Sequence, residues 1–207
     1  MSINYYSAVY KINHKKQTVT RVTMKEYDHG MFQRNMDFKT LVQIITKMQK
    51  ICFQDANTNR KNTIRLKKLL SETYEPTVCI VISLGFLENE KNIMNFIDGG
   101  CATLQKTNLG FLKYQQPVVN EVCRSKYSKN IALGKPIENV LNIIDKYAVL
   151  MTSTSKNING VYLYVEKQPE HGSSSFLTKY YEKYGFSVML HEDEEYIYMY
   201  KKLQHQK

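Results

Sequence analysis

Residues 128–148 read SKNIALGKPIENVLNIIDKYA, and the side chains at their start suit the binding of an anion. Ala132 and Gly134 are small, Lys129 and Lys135 are cationic, and Pro136 leads into apolar residues at helical spacing. The first turn of a helix leaves backbone N–H groups without intrahelical partners, and the macrodipole adds a partial positive charge. Such a helix start holds phosphate when small residues let it approach the backbone. Pro136 fits the first turn because no N–H need be donated there. A tight strand-to-helix loop also demands small residues, and on this stretch alone packing is the stronger explanation.

Other residues offer chemistry of a different kind. With sixteen tyrosines in the chain, a core role is the ordinary reading of Tyr181. Glu121 lies in the apolar run PVVNEVCRS, and the sequence leaves open which face of the strand it takes. Cys123 reads as a small strand residue rather than a nucleophile. His191 opens HEDEE, in which Glu192, Asp193, Glu194 and Glu195 gather four carboxylates on a chain of net charge +10. A solvated turn is the bland reading of that run; attraction of a cationic amine is the sharper one. His191 itself could relay a proton, though a solvated histidine is the simpler expectation.

The whole chain narrows the classes. Its 207 residues, 43% of them hydrophobic, suffice for one domain, residues 1–207, with a real core. No apolar run is long enough to span a bilayer. The start, MSINYYSAVYKINHKK, carries neither an apolar signal core nor a small-residue cleavage site, so an intracellular, cytoplasmic protein is expected. Cys52, Cys79, Cys101 and Cys123 are far apart and form no metal-ligand spacing; buried free thiols and no metal are expected. The positive charge fits either nucleic acid or a phosphate-bearing ligand. Its densest piece, NRKNTIRLKK (59–68), lacks aromatic interleaving and any helix-turn-helix or zinc-finger pattern, which disfavours nucleic acid.

Periodicity then orders the elements that must position these residues. YYSAVYKI and QTVTRVTM alternate and read as two strands joined at NHKKQ. Asp37 is placed to cap a helix whose apolar face is Phe38, Leu41, Val42, Ile45, Met48 and Cys52. A shorter helix is predicted over 63–71. TVCIVISLG is a continuous apolar run, the mark of a strand buried on both faces. IMNFIDGGCATLQ, interrupted at Gly99 and Gly100, and PVVNEVCRS are read as two more strands. A helix from Ile137 to about Leu150, a strand from Gly160 to Lys167 and a helix from Ser173 to Tyr184, closed by Gly185, come next. A hairpin, FSVML to YIYMYKKL, ends the chain. The sum is a mixed α/β sheet.

Two of these segments together resemble the GNAT superfamily, the Gcn5-related N-acetyltransferases. That family's pyrophosphate loop, Q/R-x-x-G-x-G/A, is matched by KNIALG (129–134), with lysine for the Q/R and alanine for the first glycine. Its later pattern, an aromatic-Tyr-x-x-x-Gly-Phe, is matched by Tyr180 to Phe186. The resemblance covers Thr77–Leu203; the first seventy residues fit loosely, and Ser174 and Leu177 stand near the family's Asn and Ala.

The resemblance implies a mostly antiparallel sheet flanked by helices, with two parallel strands splayed at a coenzyme A site. Acetyl-CoA would be the co-substrate. Its pantetheine would pair with Val122, Cys123 and Arg124, and its pyrophosphate would rest on Lys129, Asn130, Ile131, Ala132, Leu133, Gly134 and Lys135, with Ser174 nearby. Tyr181 would protonate the leaving thiolate, and Glu121 would take the amine proton. The acceptor would be a primary amine, such as a small polycation or a basic protein tail. A homodimer is compatible with all of this. A GNAT-like protein that binds coenzyme A or a protein partner without turnover is the alternative.

Overall fold

The computed structural model describes residues 2–13, 15–22, 31–52, 77–124, 135–148, 157–158, 160–167 and 173–203. They form an α/β structure with nine strands and three α-helices among them. The residues divide into two compact units, 1–103 with 121–140, and 104–120 with 141–207.

In the first unit the strands are hydrogen-bonded in the order β3-β2-β1-β4-β5. β1 (Ile3–Asn13) and β2 (Thr18–Val22) form the expected hairpin, with Asn13 opposite Thr18. The Asn13 side-chain oxygen accepts the Lys16 N–H at 3.0 Å and closes the turn. β1 pairs antiparallel with β4 (Thr77–Leu87) along its full length, from Ile3 opposite Leu87 to Asn13 opposite Thr77. β4 is buried continuously from Val78 to Phe86, as its unbroken apolar run requires. α1 (Phe38–Cys52) starts where expected, and Asp37 Oδ1 accepts the Lys39 N–H at 3.3 Å as its cap. Leu41, Ile44, Ile45 and Met48 of α1 join Tyr10, Ile12, Phe32, Ile80, Ile82 and Phe86 in one core.

The sequence reading misses β3 (Asn35–Asp37), too short to show a period; it is held by pairing to β2, with Met36 opposite Val19. The strand read from IMNFIDGG also needs correction. Ile93–Asn95 is a 3-10 turn, and β5 begins only at Asp98 and runs to Thr107. Asn92 caps that turn, its side chain accepting the Met94 N–H at 2.9 Å. The Lys47 ammonium donates to the Met94 carbonyl. Local side-chain bonds of this kind outbid a ladder. Gly99 and Gly100 do not interrupt β5; both are buried within it.

In the second unit the order is β6-β7-β9-β8. β6 (Gln116–Arg124) and β7 (Gly160–Glu166) run parallel, with Val118 opposite Tyr162 and Val119 opposite Leu163. β9 (Tyr196–Lys202) pairs antiparallel with both β7 and β8 (Ser187–Glu192), so the last hairpin adds to the sheet through its second strand. α2 (Lys135–Ala148), whose residues 135–140 belong to the first unit and 141–148 to the second, is amphipathic, burying Ile137, Val140, Leu141, Ile143, Ile144 and Ala148. It starts two residues earlier than predicted, so Pro136 is already in its first turn. α3 (Ser173–Glu182) is two residues shorter than predicted. The helix read over 63–71 lies outside the described residues. No described helix is long and apolar enough to cross a membrane.

Candidate functional site

At the start of α2, Lys135 is exposed and its ammonium stands 4.0 Å from the Glu138 carboxylate one turn on. An exposed i,i+3 pair of this kind contributes little to stability and leaves the lysine available to another anion. Pro136 is buried. One turn further, Asn139 Nδ2 donates to Ser83 Oγ of β4 at 3.2 Å, tying this end of the helix to a fully buried hydroxyl. Nothing in the sequence pairs these two residues, fifty-six positions apart. Lys129–Gly134, the rest of the expected phosphate loop, lies outside the described residues. Glu121, Val122, Cys123 and Arg124 are on β6, with Val122 half-buried, and Ser174 is in the first turn of α3.

Tyr181 sits in the last turn of α3, half-buried. The chain there forms a complete helix-ending motif. The Phe186 N–H donates to the Tyr181 carbonyl at 3.4 Å and the Gly185 N–H to the Glu182 carbonyl at 3.0 Å. These are the two bonds of a Schellman motif. Gly185 takes φ 85°, the left-handed conformation the motif requires. The rings of Phe186 and Tyr181 meet at 6.2 Å, the apolar contact that accompanies such an ending. The spacing Tyr181-x-x-x-Gly185-Phe186 is therefore dictated by helix termination. The ring of Tyr181 also meets Tyr180 edge-on at 5.7 Å.

The acidic hairpin is organised by Asp193. Its Oδ1 accepts the N–H groups of Glu195 (2.9 Å) and Tyr196 (2.6 Å), and its Oδ2 accepts the Tyr198 hydroxyl at 2.9 Å. Partial desolvation would raise the Asp193 pKa, but these hydrogen bonds outweigh it and hold the carboxyl below the usual range. Tyr198 is pushed up to about 12 by desolvation and by the Asp193 carboxylate. The turn is narrower than expected: His191 and Glu192 belong to β8, leaving Asp193, Glu194 and Glu195 between the strands. His191 is exposed, and its ring lies 4.1 Å from that of Phe111 and 5.6 Å from that of Tyr198.

A pair unforeseen from the sequence lies in the first unit. Asp98 is fully buried at the start of β5, and its Oδ2 accepts the Tyr5 hydroxyl at 2.8 Å. Burial raises its pKa to about 6, against the opposing hydrogen bonds from Tyr5 and the Gly99 N–H. Gly85 makes the room: a Cβ there would come within 2.8 Å of the Tyr5 ring and 3.0 Å of the Asp98 Cβ. Cys79 and Cys101 are buried, as expected, and burial pushes the Cys79 thiol up to about 11.

No protein-family model matches this chain, and no curated protein matches it. Solved structures do. One belongs to a protein of Desulfovibrio desulfuricans assigned to the GNAT family of acetyltransferases, with 7% identity, 98% of this chain and 100% of that chain covered, and a TM-score of 0.48. A second is the NatC complex bound to Gag peptide and CoA, with 13% identity, 99% and 100% covered, and a TM-score of 0.45. A third is the Campylobacter jejuni N-acetyltransferase PseH with acetyl coenzyme A, with 19% identity, 80% and 92% covered, and a TM-score of 0.41.

Proposed function

We propose that this chain is an acetyl-CoA-dependent N-acetyltransferase of the GNAT type. The observation that carries the reading is the order of elements around the one parallel pair described. β6 leads through residues 125–134 into α2 and then into β7 beside β6; α3 ends in its Schellman motif; and the final hairpin adds β9 next to β7. In a strand–helix–strand crossover the helix start follows the carboxyl end of the strand, where anionic ligands bind. Lys129–Lys135 stand at that point in the sequence and would hold the pyrophosphate, with Ser174 beside it. Val122, Cys123 and Arg124 would offer backbone groups to pantetheine in the manner of an added strand.

The chemistry assigns one role to each group. The neutral amine nitrogen attacks the thioester carbonyl carbon and forms the C–N bond. A backbone N–H near Cys123 stabilises the tetrahedral oxyanion. Glu121, directly or through water, takes the proton the amine loses. The C–S bond then breaks, and Tyr181 protonates the departing thiolate. The acidic turn favours a cationic acceptor.

A second reading keeps coenzyme binding without turnover. It is favoured by the Schellman motif, which accounts for the Tyr-x-x-x-Gly-Phe spacing without catalysis. Calorimetric titration with acetyl-CoA, followed by thiol release across an amine panel, separates the two: heat without thiol release supports the second reading.

A further inference from the structure

Among the described residues, β8 is hydrogen-bonded on one side only, to β9, so the backbone groups of its other side are open to a further strand. β3 stands in the same way beside β2, but it is three residues long, and two of them, Asn35 and Asp37, are polar and exposed. Short length and polar side chains are the usual protection of such an edge. The middle of β8 has neither. The strand runs for six residues, SVMLHE, and carries two of the four large apolar side chains that are exposed among the described residues. Val188, opposite Met199 of β9, is 48% exposed. Leu190 lies where the pairing with β9 shifts register, and it is 105% exposed. A fully exposed leucine on an open edge favours pairing with a strand of another chain.

We propose that β8 is the surface on which a second copy of this chain docks, the two β8 strands lying antiparallel about a two-fold axis. Charge selects the second copy over an unrelated strand. Just before β8 stand Lys179 and Lys183, both exposed, with Glu182 the carboxylate among them. Just after it stand Asp193, Glu194 and Glu195, all exposed. The strand therefore has a basic end and an acidic end. A two-fold axis through its middle sets the basic end of each copy against the acidic end of the other, so the same favourable contact is made twice. Parallel pairing of the two strands would oppose like charges at both ends. The same axis passes close to Leu190, so the two leucines cover one another near the centre of the pair. The three carboxylates of each turn outnumber the partner's two lysines, and the turn keeps a net negative charge.

The test is sedimentation velocity of the full chain, without coenzyme, over a range of protein concentrations. The wild type should pass from monomer to dimer as concentration rises. Leu190→Lys, at a position whose exposure leaves folding intact, should raise the dimer dissociation constant about a hundredfold, because each copy loses one covered leucine. Lys183→Glu and Glu194→Lys/Glu195→Lys should each dimerise more weakly than the wild type, since each opposes like charges at both contacts. Mixed in equal amounts at low salt, these two variants should form a heterodimer tighter than either homodimer, because both contacts then join opposite charges. A wild type that stays monomeric at every concentration, a dimer indifferent to Leu190→Lys, or a mixture no tighter than its two components would each overturn the proposal. The pairing does not rest on the transferase reading, and with no coenzyme present its failure leaves that reading as it stands.

Discussion

Asp98 makes a pH dependence that can be measured without knowing any substrate. Its folded pKa of about 6 lies above the ordinary value of 3.8, so the folded state holds a proton that the unfolded chain has already released. The contribution of Asp98 to stability is therefore full below about pH 4, falls between about pH 4 and 6, and is level above, a loss of about 3 kcal/mol. The difference in unfolding free energy between wild type and Asp98→Asn, followed by denaturant titration across that window, should trace this fall; a constant difference would show that Asp98 does not titrate as its burial demands. Tyr181 gives the second residue-level test. Tyr181→Phe removes one hydroxyl and keeps the ring contact with Phe186. Turnover should drop about 10²-fold while acetyl-CoA binding holds; unchanged turnover would make the residue structural only. At Gly185, alanine meets nothing closer than Lys201 Cε at 3.5 Å, so the cost of substitution is conformational. Gly185→Ala should lower stability by about 1 kcal/mol, or about 2–4 °C in Tm, and a Tm equal to wild type would refute the assignment of the helix ending.

At the scale of elements, α2 carries the decisive expectation. Gly134→Glu adds bulk and negative charge just before the helix start, where the pyrophosphate is proposed to sit. It should abolish acetyl-CoA binding by calorimetry, and retained affinity would remove the phosphate from that loop. Much of this architecture was legible in the residues. The continuous apolar run of β4, the α1 face beginning after Asp37, and the Gly185 stop are each local consequences of one physical rule, and each is found where the rule puts it. What could not be read depends on distant partners. β3 exists because β2 offers a ladder, Ile93–Asn95 turns because Asn92 and Lys47 hold it, and the Asp98 pair joins residues ninety-three positions apart. The candidate site was named from residue types and spacing, not from geometry. Tyr181 could be located from its spacing, yet the Schellman motif gives that spacing a second cause that periodicity alone could not reveal.

For the molecule as a whole, the net charge of +10 sets the terms of ligand capture. The proposed polyanionic coenzyme and a cationic acceptor would make opposite electrostatic demands. On the proposed function, the basic residues of 129–135 and the acidic turn at 193–195 would answer them at separate places in the chain. Turnover divides the two readings of the protein most sharply. Purified wild-type chain should be mixed with acetyl-CoA and a panel of amines, including arginine- and lysine-rich peptides, with free thiol followed over time. An acetyltransferase releases thiol in step with acetylated amine for at least one acceptor, and much more slowly as Tyr181→Phe. Binding of acetyl-CoA with no amine-dependent thiol release from any acceptor would contradict the transferase assignment and leave a coenzyme-binding protein.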